Sequence, residues 1–189
     1  MSKLVERGVV MDWQQIIEFW FEEIEPSKHW IKDAEFDQLI DNRFGDVHAA
    51  AAQGELYRWR QEPRGRLAEI IVLDQFSRNI YRDQAAAFGC DAQALVLAQE
   101  AVAVGDDQQL EPTQRTFLYM PFMHSESALI HQQAVELFQQ PGLEDNYSFE
   151  LKHKEIIDRF GRYPHRNAIL GRESSAEELE FLTQPGSSF

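Results

Sequence analysis

The chain has 189 residues, 43% hydrophobic and 12% aromatic, with a formal net charge of −14 at pH 7; that is enough for one well-buried core and too little for two large ones. Such an acid excess repels a phosphate backbone and excludes nucleic acid as a partner. The single cysteine, Cys90, excludes an intrachain disulfide and points to a reducing, cytoplasmic setting.

Residues 1–11, interrupted by Lys3, Glu6 and Arg7, lack the apolar run of a signal peptide and read as a flexible extension of a single domain over 1–189. Asp12 with Gln15 marks a helix start, after which Trp13, Ile16, Ile17, Trp20, Phe21 and Ile24 recur at helical spacing until Pro26. Asp33 caps a second helix whose stripe is Phe36, Leu39, Ile40, Phe44 and Val47, ending at Gly54. Pro63 opens a third, with Leu67, Ile70 and Ile71 on its apolar face. The next position on that face is Asp74, a carboxylate that needs a partner there, and Arg78 four residues on can supply it.

Asp91 begins a helix that Gly105 stops, and Pro112 begins another that Pro121 is expected to end or kink near His124. Ser125 is expected to cap a helix through Ile130, His131, Ala134 and Phe138, closed by Pro141 and Gly142. The following helix carries His153 on its apolar stripe and ends at Gly161, and Ser174 with Glu177 reads as a capping box for a last short helix. His131 and His153 read as core histidines, and Cys90 as a small buried apolar residue. No stretch alternates with a period of two, so the fold class is all-α, a compact multi-helix bundle of helix hairpins.

Five motifs carry a family resemblance: EFWF at 18–21, LDQFSRNIYR at 73–82, PFMHSES at 121–127, RFGRYPHRNAILGRESS at 159–175 and the terminal PGSSF at 185–189. The chain from Trp13 onward resembles the bacterial domain-of-unknown-function family 924. That resemblance implies a single helical domain related to tetratricopeptide-type hairpins and carries no established activity. The family's pattern commonly has Pro where this chain has Ser77, and Gly where it has Asp83.

From Lys152 to Arg172 six cations meet two acids, an island of +4 in a chain whose remainder sums to −18. The expected ligand-binding set is Arg78, Asn79, Arg82, Arg162, His165, Arg166, Asn167 and Arg172, a set of arginine forks and directed donors suited to a small anion or an acidic peptide end. Asp74, Glu126 and Asp158 are the acids expected to neutralise the same arginines if the island is structural. The enzymatic alternative is an intracellular hydrolase or transferase with His124 or His165 as general acid or base. A third reading is a self-associating scaffold in which Trp13, Trp20, Trp30 and Trp59 face a partner copy, so a homo-oligomer stays open. Neither HExxH nor a Walker or GxGxxG loop is present, so no metal, nucleotide or other cofactor is expected, and no span has the roughly 20 apolar residues of a membrane helix.

Overall fold

The computed structural model describes residues 12–188; the expected N-terminal extension, residues 1–11, and Phe189 of the PGSSF motif lie outside them. Among the described residues every regular element is helical. Helix α1 (Trp13–Glu18) starts behind an Asp12–Gln15 capping box and runs into a π turn, Phe19–Glu23, that buries Phe19 and Trp20. A 3-10 turn at Pro26–Trp30 follows, then α2 (Ala34–Ala52), where the Asp33 side chain accepts from the backbone N–H groups of Glu35 and Phe36. The α2 stripe buries Phe36, Ile40, Phe44 and Val47, whereas Leu39 stays exposed.

The axis of the bundle is one continuous rod made of α3 (Pro63–Ile71), a π turn (Val72–Phe76) and α4 (Ser77–Ile80). Every residue from Leu67 to Ser77 is buried. Around this rod pack α1, α2, α5 (Asp91–Ala103) and α6 (Pro112–Met123), while α7 (Ala128–Phe138) lies between α6 and α8 (Glu144–Phe160). From α5 to α8, helices adjacent in sequence are adjacent in space, as short connections between hairpins require. At the centre, the rings of Phe44 and Phe76 lie 5.1 Å apart and those of Phe19 and Phe44 4.8 Å apart. A second, small cluster joins Ile156, Ile157 and Tyr163 to Phe160 and Phe181, and seats the C-terminal loop and α9 (Ala176–Phe181).

Three expectations are corrected. Pro121 does not end its helix; α6 continues to Met123, because a proline this near the C-terminus removes only one donor from an already fraying end. Ser127, not Ser125, occupies the N-cap of α7, and the Ser125 hydroxyl accepts from the Ser127 N–H at 3.2 Å. The last capping box is Ser175 with Glu178, one residue beyond the expected pair of Ser174 and Glu177. The tryptophans also divide: Trp20 and Trp59 are core residues and Trp13 is half-buried, so of the four only Trp30, 58% exposed, offers a surface ring. Among the described residues no helix is long and apolar enough to cross a membrane.

Candidate functional site

The site grows from the π turn. Widening the rod by one residue per turn at Val72–Phe76 places Asp74 on the fully buried side, facing the C-terminal end of α6. There His124 caps α6 and sets its Nδ1 2.8 Å from Asp74 Oδ1. Arg78, one turn on, reaches the same oxygen with Nη1 at 3.1 Å and also donates to the Asp74 carbonyl at 2.8 Å. Burial alone would raise the Asp74 carboxyl, but Arg78 and His124 outweigh it and hold it well below the usual carboxylate range. An ionised Asp74 can only accept, so His124 Nδ1 carries the ring proton and Nε2 presents its lone pair. Burial and the neighbouring Arg78 both lower the basicity of His124, which keeps the ring neutral near pH 7. No protein group among the described residues bonds to Nε2.

Arg78 spans a second carboxylate. Its Nη1 and Nη2 hold Asp91, the first residue of α5, in a fork of 2.9 and 3.0 Å. The oxygen Asp91 Oδ2 is also the nearest acceptor of Arg166, at 3.5 Å from Nη1. Arg166 comes from the 3-10 turn Pro164–Arg166. Its guanidinium lies 4.6 Å from the ring centre of Phe88 and 4.5 Å from that of Tyr163, and its Nε is buried with no acceptor. Burial, then the nearby Arg78, makes its proton easier to lose than an ordinary arginine's. One chain of contacts therefore runs His124, Asp74, Arg78, Asp91, Arg166. It surfaces at an edge where the side chains of His124, Arg78 and Asp91 keep 16%, 20% and 20% exposure.

The other candidates are brought elsewhere. Asn79 and Arg82 both turn to Asp37 of α2, with Asn79 Nδ2 at 2.8 Å and Arg82 Nη2 at 2.6 Å from Oδ1. Arg162 forks onto Glu178 at 2.6 and 2.8 Å. Arg172 forks onto Glu126 at 2.6 and 2.9 Å and donates from Nε to Asn167 Oδ1, while Asn167 Nδ2 donates to Ser174. Glu126, which burial would raise, is instead held low by Arg172 and by the Tyr163 N–H at 2.8 Å. Asp158 pairs with Lys154 on its own helix and takes none of the loop arginines. His165 rests its ring 5.5 Å from that of Tyr163, and burial with Arg166 pushes it down to about 4. The basic island is thus largely matched by acids from outside it.

Three participants were not marked as such by the sequence. Asp91 reads there only as a helix start. Tyr163 is fully buried and ringed by His131, His153 and His165, with its hydroxyl donating to the Met123 carbonyl at 2.6 Å. His48 Nε2 lies 2.7 Å from Ser77 Oγ, a serine–histidine pair, but that hydroxyl spends its proton on the Leu73 carbonyl and is wholly buried, so it is no nucleophile. Among the described residues no group of His, Cys, Asp and Glu is arranged to hold a metal ion. Two surface hollows with defined linings, one along Leu151 to Arg159 and one along Phe138 to Tyr147, include no residue of the contact chain.

Comparison with known proteins agrees with the motifs. The family model described as a bacterial protein of unknown function, DUF924, matches residues 16–186. A solved structure of a protein of unknown function from Agrobacterium tumefaciens is similar at 39% identity, covering 90% of this chain and 96% of its own, with a TM-score of 0.83. No curated protein matches.

Proposed function

This chain belongs to the bacterial family DUF924, which brings a fold and no assigned chemistry, and from that premise we propose that it is a cytoplasmic small-anion-binding protein whose site is the Arg78–His124–Arg166 edge. The observation that carries this reading is Arg166. A guanidinium that is 7% exposed, with an empty Nε and one long contact to an oxygen already held by Arg78, lacks a counter-ion of its own. Leaving a buried charge so poorly paired costs several kcal/mol, and an anion drawn to that guanidinium at the edge recovers part of it. Arg78 is the second contact in this reading, and Arg162, Asn167 and Arg172 fix the loop that presents Arg166.

The test is thermal unfolding in phosphate, citrate and malate at constant ionic strength, wild type beside Arg166→Met. An anion at about 100 times its dissociation constant stabilises by about 2.7 kcal/mol, which for a chain of this size raises the midpoint by roughly 5–10 °C. Arg166→Met leaves an unbranched apolar side chain against Phe88 and Tyr163 and should lose that rise. Equal shifts in both proteins would leave only the general effect of excluded salts and refute the site.

A second reading, an acid–base enzyme, is favoured by one further observation, the Asp74–His124 pair with its Nε2 lone pair at the exposed edge. Such an oriented imidazole takes a proton from water or a substrate hydroxyl as general base. Turnover of p-nitrophenyl phosphate or p-nitrophenyl acetate that survives in a folded His124→Ala variant rules this reading out.

A further inference from the structure

The hydrogen-bonding capacity of the edge also says what kind of anion it takes. At one end of the contact chain Arg166 carries positive charge and an Nε–H with no acceptor. At the other, His124 offers only an acceptor: the ring proton is fixed on Nδ1 by the Asp74 carboxylate, so Nε2 is a lone pair with no donor to meet it. A single guanidinium, Arg78, lies between them, bonded to Asp74 on one side and to Asp91 on the other. Asp91's oxygens are already taken by two arginines, which leaves Nε2 as the acceptor without a partner.

A bare anion such as sulfate satisfies the cationic end and sets its lone pairs against Nε2. An anion that keeps an O–H satisfies both. We infer that the site selects protic anions, whose charged oxygens meet Arg166 while a hydroxyl on the same small molecule donates to His124 Nε2, hydrogen phosphate and 2-hydroxycarboxylates being the simplest members. This rests on the anion-binding reading above, and it adds a selectivity that Arg166 alone cannot supply. The two ligand classes share one chemistry, an anionic oxygen with an O–H one or two atoms away.

Matched pairs separate the inference from the reading it rests on. Phosphate and sulfate have nearly the same size and charge near pH 8, but only phosphate retains a proton; malate and succinate differ by one hydroxyl. Isothermal titration of the wild-type chain at pH 8 and constant ionic strength should give at least about a tenfold lower dissociation constant for the protic member, as one unpaired polar group at a binding site implies. His124→Phe should remove that preference while retaining the weaker binding common to both members, and Arg166→Met should remove binding altogether. Equal affinities within both pairs overturn the inference and leave anion binding standing. No heat and no thermal shift with any of the four overturns anion binding itself. Because the matched pairs are read on the wild-type protein, the outcome stands whether or not either variant folds.

Discussion

Glu150 is a fully buried carboxyl that folding makes harder to ionise. His131 Nε2 lies 2.8 Å from the Ser125 carbonyl and 3.2 Å from the Tyr163 hydroxyl, whose own proton goes to Met123, so both neighbours accept and Nε2 must donate. On the other side of the ring, Nδ1 sits 2.7 Å from Glu150 Oε1, while Oε2 has no partner and burial pushes the carboxyl up. A protonated Glu150 donating to Nδ1 satisfies the ring at both nitrogens and leaves only a neutral carbonyl oxygen orphaned. With its pKa raised on folding, Glu150 contributes fully below about 4.5 and loses that contribution as pH rises through the raised value. Glu150→Gln keeps a donor and removes the titration. Urea unfolding at pH 4.5 and 8 should therefore show the variant gaining on wild type by about 1 kcal/mol or more at the higher pH; a difference that does not change with pH sinks the assignment. The sequence placed His131 on an apolar stripe as a core histidine, and it is one. Its partner was not visible, because Glu150 faces it from another helix.

At the scale of the helix, the rod was legible from Pro63 along its apolar face to Asp74, and Arg78 pairs with Asp74 as the spacing predicts, while the helix's continuation to Ile80 was not marked. The π turn was not legible, since a one-residue widening leaves no mark in apolar periodicity. The start of the rod also depends on one missing side chain: a Cβ on Gly65 would lie 2.0 Å from the Trp59 carbonyl oxygen, a backbone atom that cannot swing away. Gly65→Ala should therefore destabilise by about 3 kcal/mol or more by forcing α3 off the Tyr57–Gln61 turn, which a drop in the urea midpoint will show. The tight turn after α4 makes the opposite case. Asp83 holds φ at 61°, a left-handed value that favours glycine, and its ion pair with Lys32 lies at the surface. Asp83→Gly should be neutral or stabilising by up to about 1 kcal/mol in the same measurement.

Across the whole molecule, the all-α architecture was open to sequence reading because each apolar stripe, proline and left-handed glycine acts locally. Most of the charge network was not, because it joins distant segments, as in Arg162 to Glu178 and Arg82 to Asp37; Glu126, which takes Arg172, was named among the expected acids, though not its partner. The Arg172 and Arg162 links hold a C-terminal loop that has only a small apolar cluster beneath it. Glu126 titrates low in the fold, so its contribution is present above about 4.5 and is lost as pH falls through the depressed value. Glu126→Gln at pH 7 should cost about 1–2 kcal/mol, a figure reduced because both side chains of the pair are a quarter exposed. Limited proteolysis should then cut within 161–175 before the helices; simultaneous loss of the whole chain refutes that order.

Asp91 is one negative group divided between two guanidiniums, one from the neighbouring helix and one from the distant C-terminal loop. Arg78 keeps Asp74 if that acid goes, but Arg166 has no other ion pair among the described residues, so positions 91 and 166 are tied together in descent: a relative that gives up the acid at 91 should also have surrendered the base at 166.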